Sequence, residues 1–499
     1  MKRDSWGSKV GFLLAAIGSA VGLGNIWRFP YTAVENGGGA FLLPYFFAII
    51  TAGIPILILE YTIGKNYRGG APVALARINK KFEWLGWFQV MVAFTITVYY
   101  LAIIVWVLSY IGFAFNQAWG TDPTGFFLNF LGLSSSALEL GGIQGNLVVP
   151  FLIIWAVAAF VMYRGISRGI ELTCKIMLPA LMIVTAILVI RGITLPGAVD
   201  GLNYLFTPKW DRILDSSVWV AAYGQVFFSL SIAFAIMISY SSYLPKESDV
   251  VNSAFITATA NHGFELFAGI GVFSILGYMA YTQGVAVEEV AAGGVGLAFM
   301  VFPEAINALP AMNGFIGVCF FAALFFAGFT SLISIIQAVI SGIADKFEFS
   351  HKKATTIVIV PAFLISFLFI TGAGLNILDI VDAFINNIGV AGAGLIEVIL
   401  IGWFFNLESI RKEANQFSNF SIGKWWLYSL KIVTVVVLGF MVISNTITYI
   451  RTGYGGYATI DVAVFGWGAL LVCIIMTIIL TAMKGKEGYA DLSKHKEGR

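Results

Sequence analysis

Residues 18–31 read GSAVGLGNIWRFPY, and residues 224–233 read GQVFFSLSIA. Each stretch places small or hydroxyl residues near the middle of an apolar run. A glycine in a helix interior costs about 1 kcal/mol relative to alanine. If these runs cross a membrane, each unpaired backbone group in lipid costs several kcal/mol more. A helix interrupted in this way is therefore expected to line a protected cavity. The alternative is close helix packing, in which Gly and Ser only let two backbones approach.

The composition indicates that the chain lies in a bilayer. Of its 499 residues, 59% are hydrophobic and 11% are charged, whereas a soluble domain averages about 45–50% apolar and roughly 25% charged residues. Uncharged runs such as 84–121 and 305–344 are long enough to cross ~30 Å of hydrocarbon. These features exclude a soluble enzyme, a disordered chain and a disulfide-stapled secreted domain. The formal net charge of +2 gives no global basic field, so no nucleic-acid partner is predicted.

The apolar segments, divided where Gly, Pro or polar clusters interrupt them, predict an all-α integral membrane protein with twelve transmembrane helices. We place these at residues 10–36, 40–65, 85–116, 147–164, 170–191, 218–243, 251–281, 315–345, 353–371, 376–404, 425–449 and 461–483. With the N-terminus inside, 24 of the 29 basic residues fall on the inner side. The positive-inside rule then predicts a multi-pass protein of the cell (inner) membrane with both termini cytoplasmic.

The two interruptions lie five spans apart, which indicates two inverted five-helix repeats with a substrate and ion site between them. The chain is then expected to comprise a cytoplasmic N-terminal segment (1–9), a first inverted repeat with helices 1–5 (10–191), an extracellular loop (192–217), a second inverted repeat with helices 6–10 (218–404), helices 11 and 12 (405–483), and a solvated cytoplasmic tail (484–499).

Interrupted helices expose backbone groups that can bind ions. The N–H groups of one half-helix can hold a carboxylate, and the C=O groups of the other can hold a cation. A small hard cation prefers oxygen ligands. The oxygen-bearing side chains that we predict at membrane depth are those of Asn25, Ser229, Asn261, Thr330 and Ser331. The alternative for each Ser or Thr alone is a hydrogen bond back to its own helix.

Five charged residues lie inside or at the edge of apolar spans, where an unpaired charge costs at least ~2.5 kcal/mol. They are Arg28, Glu60, Glu265, Asp382 and Glu397. Arg28 should therefore have an acidic partner, which the sequence alone does not identify. Glu60 and Glu397 could instead be structural carboxylates that bind backbone amides of an unwound segment.

Several motifs together resemble one membrane transport family. They are Gly22-Leu23-Gly24-Asn25-Ile26-Trp27-Arg28-Phe29-Pro30-Tyr31, Glu35-Asn36-Gly37-Gly38-Gly39-Ala40-Phe41, Tyr99-Tyr100, Gly224-Gln225-Val226-Phe227-Phe228-Ser229-Leu230-Ser231, Asn261 with Glu265, and Ala327-Gly328-Phe329-Thr330-Ser331. The chain resembles the neurotransmitter:sodium symporters over essentially its whole length, and within them the bacterial amino-acid transporting branch. The resemblance implies the leucine-transporter fold: two inverted five-helix repeats and two C-terminal helices.

The resemblance also implies two sodium ions as coupling ions and no prosthetic group. The first sodium site would use the Ala20 carbonyl, the side chains of Asn25, Ser229 and Asn261, and the carboxylate of the substrate. The second would use the carbonyls of Gly18, Val21 and Ala327 with the hydroxyls of Thr330 and Ser331. Because the substrate carboxylate would complete the coordination shell of the first sodium ion, the binding of substrate and sodium would be directly coupled.

For the substrate, the resemblance implies a neutral, hydrophobic α-amino acid. The amides of Leu23 and Gly24 and the Tyr100 hydroxyl would hold its carboxylate. Carbonyls near Ala20, Phe228 and Ser231 would hold its ammonium, next to Ser229. The side-chain pocket would be lined by Ser19, Ile96, Ser231, Phe234, Ser331 and Ile335. Members of the family that carry biogenic amines have an aspartate at the position of Gly22, and this chain does not.

Gates and chloride independence follow from the same resemblance. Arg28 would pair with Asp382 on the outer side, and Arg3 would pair with Asp345 on the inner side, supported by Trp6 and Tyr243. The alternative for Arg3 is one more basic residue on the inner side. Glu265 occupies the position where chloride-dependent members carry a serine, so its carboxylate would substitute for chloride.

Three positions depart from the leucine transporter or from many family members. Ser19 replaces an asparagine, Ser229 replaces a threonine, and Ala233 adds a methyl group near the pocket floor. The predicted function is sodium-coupled import by alternating access. The alternatives are a sodium-independent amino-acid facilitator and a non-transporting receptor. A channel filter repeated around a symmetric pore and a nucleophile–base or metal constellation are not evident, so a channel or an enzyme is not predicted. The sequence does not predict the oligomeric state.

Overall fold

The computed structural model describes residues 5–290 and 295–491, and these residues form an all-helical protein. Within them, ten helices are long and apolar enough to cross a membrane. No strand occurs among the described residues, where the sole extended pairing is an isolated bridge between Ile143 and Thr371. The expectation of an all-α membrane protein is therefore confirmed.

The helices that build the core are numbered here in chain order; shorter helices in the connections are left unnumbered. They are α1 (Lys9–Ala20), α2 (Leu23–Ile26), α3 (Arg28–Glu35), α4 (Gly39–Tyr67), α5 (Lys80–Ala114), α6 (Gly145–Tyr163), α7 (Ile166–Ile193), α8 (Ser216–Ser229), α9 (Ile236–Ser241), α10 (Val250–Gln283), α11 (Asn313–Phe347), α12 (His351–Ile370), α13 (Gly374–Trp403), α14 (Trp425–Thr452) and α15 (Thr459–Ala482).

The first predicted interruption lies between α1 and α2. The amide of Val21 still donates to Ile17 O at 2.7 Å, but Val21 and Gly22 are extended, with ψ of 91° and −169°. The last carbonyls of α1 and the first amides of α2 therefore lack the usual helical partners. Both sets of groups face the interior of the protein, where Gly22 and its neighbours are buried.

The second interruption covers residues 230–235, between α8 and α9. Its backbone is strained, because Ser231, Ala233 and Ala235 have φ of +53°, +69° and +71°, and a left-handed non-glycine residue costs roughly 1–2 kcal/mol. The Ala233 amide donates to Glu60 Oε1 of α4 at 2.6 Å. This contact fits the interpretation of Glu60 as a carboxylate that binds an unwound backbone.

The centre of the bundle is formed by α5, α10 and α11, whose side chains are mostly buried. In contrast, α14 and α15 expose large aliphatic side chains, such as Ile443 and Ile478, which are 61% and 62% exposed. Exposed apolar surface of this extent fits contact with lipid rather than water. The central helices therefore position the site, and the last two helices face outward.

The described part of the C-terminal tail, predicted as a solvated segment, is partly exposed and also contacts the bundle. Residues 484–491 fold back onto the ends of α5 and α11, where Tyr489 donates to Glu83 Oε2 at 2.6 Å. The Lys486 amide donates to Lys346 O at 3.1 Å. None of residues 484–491 is fully buried, and their contacts with Glu83 and Lys346 join them to partners that are distant in sequence.

Candidate functional site

One cavity of about 270 Å³ lies where the two interruptions face each other. All twelve residues predicted to bind substrate line it: Ser19, Ala20, Leu23, Gly24, Ile96, Tyr100, Phe228, Ser229, Ser231, Phe234, Ser331 and Ile335. They come from α1, α2, α5, α8, α11 and the residues between α8 and α9. The fold therefore brings together residues that are up to 316 positions apart in the chain, from Ser19 to Ile335.

The first turn of α2 supplies hydrogen-bond donors to one end of this cavity. The Leu23 amide lies 3.5 Å from the Tyr100 hydroxyl. Gly24 packs directly on Phe228, and a Cβ at this position would lie 2.4 Å from the aromatic ring. Backbone amides at the start of a helix beside a hydroxyl donor form an arrangement suited to a carboxylate. A glycine is required at position 24 because any side chain would displace Phe228.

The opposite part of the cavity combines apolar walls with hydroxyl groups. Ser231 and Ser331 both donate to the Ser19 carbonyl, at 2.8 Å and 3.0 Å. These bonds tie the second interruption and α11 to the end of α1. The side chains of Ile96, Phe234 and Ile335 complete an apolar wall. The cavity thus has a polar backbone end and a mostly apolar side-chain end.

Two hydrogen bonds through Asn261 join three of the residues predicted for the first sodium site. Asn25 Nδ2 donates to Asn261 Oδ1 at 2.9 Å, and Asn261 Nδ2 lies 3.2 Å from Ser229 Oγ. All three side chains are buried, and Asn25 and Ser229 line the cavity together with Ala20, the fourth residue. Their oxygen atoms are the chemical type that a sodium ion binds.

The residues predicted for the second sodium site surround the end of α1. A Cβ at Gly18 would lie 3.4 Å from Thr330 Cβ, so α1 and α11 are in close contact here. Thr330 and Ser331 both donate to the Ala327 carbonyl, at 3.1 Å and 3.2 Å. Val21 directly follows the last residue of α1. This cluster again contains only oxygen ligands.

Glu265 is fully buried on α10, four residues after Asn261. Its carboxylate accepts short hydrogen bonds from the Tyr45 hydroxyl and the Gln225 amide. His262 Nδ1 lies 3.1 Å from the same carboxylate. A fixed carboxylate with polar partners therefore lies in the element that also carries Asn261. The interaction with His262 was not predicted; the i, i+3 spacing on one helix was the available signal.

The outer part of the cavity is lined by charged groups of α3 and α13. Arg28 places its guanidinium over the Phe228 ring, 4.3 Å from the centroid, and Asp382 accepts from Asn386 Nδ2 at 2.7 Å. Both predicted gate residues line the cavity. Among the described ion pairs, with a limit of 4.0 Å, none joins Arg28 to Asp382. Arg28 and Asp382 therefore do not form a direct ion pair in this conformation.

A second acid in the outer part of the cavity was not predicted from the sequence. Asp379 lies one helical turn before Asp382 and lines the cavity. It accepts hydrogen bonds from Tyr454 and Tyr457, at 3.1 Å and 3.0 Å. The i, i+3 spacing of the two aspartates was a usable signal. No sequence signal indicated that the loop between α14 and α15 contributes to this site, because its contribution depends on tertiary contacts.

On the side that we predict to be cytoplasmic, the described residues are closely packed. Trp6 Nε1 donates to the Tyr240 carbonyl at 2.8 Å, and the Tyr243 hydroxyl lies 2.9 Å from Ser341 Oγ. Asp345 accepts from the Gly70 amide at 2.7 Å. Arg3, the predicted partner of Asp345, lies outside the described residues. The cavity therefore opens towards the side of Asp382 and Tyr454 while the opposite end is closed.

Comparisons with known proteins agree with this geometry. The chain matches the Sodium:neurotransmitter symporter family over residues 3–127 and 121–487. It is 41% identical to an uncharacterised sodium-dependent transporter of Methanocaldococcus jannaschii, over 98% of this chain and 99% of the relative. It is 30% identical to a sodium-dependent dopamine transporter of Caenorhabditis elegans, over 91% and 82% of the two chains. It is 28% identical to sodium- and chloride-dependent glycine transporter 2 of Xenopus laevis, over 97% and 69%.

Proposed function

The chain belongs to the sodium:neurotransmitter symporter family, and we propose that it imports a neutral, hydrophobic α-amino acid together with sodium by alternating access, without chloride. The family is one of sodium-dependent membrane transporters rather than enzymes. The observation that carries the proposal is the single cavity in which α2 amides, the Asn25–Asn261–Ser229 cluster and an apolar wall meet.

Coupling between substrate and sodium follows from the adjacent positions of the α2 amides and the Asn25 side chain. Leu23 and Asn25 are two residues apart, so a carboxylate held by the α2 amides lies beside the oxygen ligands of the first sodium ion. The bound carboxylate and the sodium ion then neutralise part of each other's charge, and binding of either one raises the affinity for the other by the same factor. We assign a second sodium ion to the cluster around Gly18 and Thr330. It holds α1 against α11, which stabilises the conformation open to the outside.

The proposed architecture adds the two interrupted segments to the ten long helices and gives twelve crossings. Residues 10–191 and 218–404 are proposed to be inverted five-helix repeats, joined by an extracellular loop at 192–217 and followed by two helices within 405–483. Both termini would be cytoplasmic, in agreement with the inner location of most Lys and Arg residues. Alternating access would then be the movement of one repeat against the other.

The choice of an amino acid rather than an amine rests on Gly22. A Cβ at Gly22 would lie 2.9 Å from Ser331 Oγ and 3.5 Å from the Tyr100 hydroxyl. An aspartate here would occupy the space that we assign to the substrate carboxylate. The walls formed by Ile96, Phe234 and Ile335 favour an apolar side chain. The transported compound is therefore expected to bring its own carboxylate and a neutral side chain.

Chloride independence rests on Glu265. One relative is a sodium- and chloride-dependent glycine transporter, whereas this chain has a buried carboxylate near the first ion cluster. Because like charges repel strongly in a region of low dielectric, a Glu265 carboxylate at this position would make an added anion unfavourable. The proposal is therefore that Glu265 supplies the charge that chloride supplies elsewhere.

The test is binding of amino acids to the purified protein in sodium and in potassium. A panel of neutral amino acids is expected to give saturable binding in sodium, with affinity at least tenfold weaker in potassium. Asn25→Ala should abolish the sodium effect, whereas Asn445→Ala, on the outward-facing α14, should preserve it. Equal affinity in both salts would contradict sodium coupling and would favour a facilitator or a receptor.

A further inference from the structure

Residues 484–491, here called the tail strap, follow the end of α15 and turn back across the ends of α5 and α11. Two contacts fix the turn: the Lys486 amide donates to the Lys346 carbonyl at 3.1 Å, and the Tyr489 hydroxyl donates to Glu83 Oε2 at 2.6 Å. Gly485 makes the close approach possible, since a Cβ there would lie 2.7 Å from the Tyr489 ring.

The tail strap rests on a buried ion pair. Lys346 has a fully buried side chain, and its Nζ lies 2.7 Å from Glu83 Oε1. The same ammonium donates to the carbonyls of Leu480 and Thr481 at the end of α15, at 2.5 Å and 3.1 Å. Because a buried charge is tolerated only with a full set of partners, these bonds fix where α15 ends. The tail strap therefore begins at a defined position on the bundle.

Arg77 connects the tail strap to the inner closure. Its Nε donates to the Tyr489 carbonyl at 3.0 Å, and its Nη1 donates to the Tyr67 carbonyl at 3.0 Å and to the Arg68 carbonyl. Arg68 in turn donates from Nη2 to the Leu244 carbonyl at 2.9 Å. Leu244 lies three residues after α9, the inner half of the second interrupted segment. A continuous series of hydrogen bonds thus runs from the tail strap to α9.

This series ends at the elements that close the inner side. Through Tyr240, α9 accepts the indole hydrogen bond of Trp6. Gly70, two residues after Arg68 in the connection between α4 and α5, donates its amide to Asp345. Burial and the Glu83 carboxylate raise the pKa of Tyr489, so its hydroxyl stays protonated and remains the donor. The tail strap therefore holds Arg77, and Arg77 holds the segment that contacts both α9 and α11.

We propose that the tail strap is a brace that stabilises the conformation closed to the cytoplasm, and that its contact with Arg77 must loosen when the inner side opens. The inference rests on the proposed alternating access. A brace shifts a conformational equilibrium only if its contacts are stronger in one state than in the other. Here the Arg77–Tyr489 contact joins the tail to a segment bonded to α9, which has to move away from Trp6 during opening.

Cys174 provides a reporter of inner opening that does not depend on transport. It is fully buried, and a Cβ at Gly18 of α1 would lie 3.5 Å from its Sγ. Three residues earlier, Glu171 accepts from the Gly7 amide at 2.7 Å. Because α1 lies beside this thiol, we expect Cys174 to become reachable when α1 moves away from α7 during inner opening. The other two cysteines, Cys319 and Cys473, are replaced by serine in the reporter protein.

The test measures the rate at which a membrane-impermeant maleimide modifies Cys174 from the cytoplasmic side. Tyr489→Phe removes the hydrogen bond to Glu83 and is expected to raise the rate severalfold. Tyr489→Ala also removes the ring that lies against Gly485, so it should raise the rate further, by about tenfold. Tyr428→Phe, at an exposed tyrosine of α14, is the matched control and should label at the parent rate. Sodium should lower every rate, because it favours the conformation open to the outside.

Parent-like labelling of Tyr489→Phe and Tyr489→Ala would overturn the brace. If Tyr489→Ala does not elute as a monodisperse protein, the conservative Tyr489→Phe variant decides the matter. Failure of the proposed function is a separate result, since it would appear as absence of sodium-dependent amino-acid binding in the parent protein. The labelling experiment contains no amino acid, so the two outcomes are distinguishable.

Discussion

At the scale of single residues, close approach of backbone groups explains why particular positions accept only one residue type. Gly24 allows Phe228 to lie on the first turn of α2. Asn25 uses both ends of its amide: Oδ1 accepts from the Gly22 amide at 2.9 Å and Nδ2 donates to Asn261. The first interruption is therefore stabilised by the side chain proposed to bind sodium, which links backbone geometry to ion binding.

Glu265 gives a prediction at this scale. Glu265→Ser removes the carboxylate that we propose to substitute for chloride, so sodium-driven uptake in chloride-free medium should fall at least tenfold. Chloride should restore most of the lost uptake, since an added anion can then supply the missing charge. The measurement is uptake at constant sodium with chloride replaced by gluconate.

The matched control for this substitution is Glu304→Ser, at an exposed glutamate that accepts from Gln283 at 3.2 Å. It should leave uptake unchanged in both media. Uptake by Glu265→Ser that is unaffected by chloride would contradict the proposed role of Glu265.

At the scale of secondary-structure elements, the second interruption is held in a strained conformation by a contact from another helix. The Glu60 carboxylate of α4 accepts from the Ala233 amide, and Ala233 has φ of +69°. Three non-glycine residues with positive φ within five positions store strain. The interruption therefore persists because α4 supplies a partner for its unwound backbone.

Ala233→Gly tests this strain. Glycine adopts a left-handed conformation without the Cβ penalty of roughly 1–2 kcal/mol, while its extra freedom in the unfolded chain costs about 0.5–1 kcal/mol. We expect a net stabilisation of up to about 1 kcal/mol, seen as a higher melting temperature in detergent by intrinsic tryptophan fluorescence. Ala156→Gly, at an exposed helical position of α6, should lower the melting temperature. A decrease for both variants would show that the conformation of residue 233 is not strained.

Sequence patterns predicted the long helices and both interruptions, because apolar length and the Gly and Ser clusters are local signals. The residues of the candidate cavity were supplied by the family resemblance, and the structure brings them together. The tail strap could not be predicted, since the partners of Tyr489 and Lys346 depend on tertiary contacts. The role of Asp379 was missed for the same reason: Tyr454 and Tyr457, which bind it, belong to a loop without a periodic pattern.

At the scale of the whole molecule, two closures are at opposite ends of one cavity. The inner end is held by Trp6 on Tyr240 and by the Gly70–Asp345 contact. At the outer end, Arg28 lies over Phe228 and is not paired with Asp382. In the alternating access that we propose, this arrangement would be the state that is closed on the inner side. Closing Arg28 onto Asp382 while the tail strap loosens would produce the other state.

The most direct measurement of sodium-coupled import is accumulation of a labelled neutral amino acid in proteoliposomes. An inward sodium gradient is compared with an equal choline gradient, both without chloride. We predict that sodium drives the internal concentration above the external one, and that a negative potential inside increases the initial rate. Moving one charge inward through 100 mV contributes about 2.3 kcal/mol. Equal internal concentrations under both gradients would contradict sodium-coupled import.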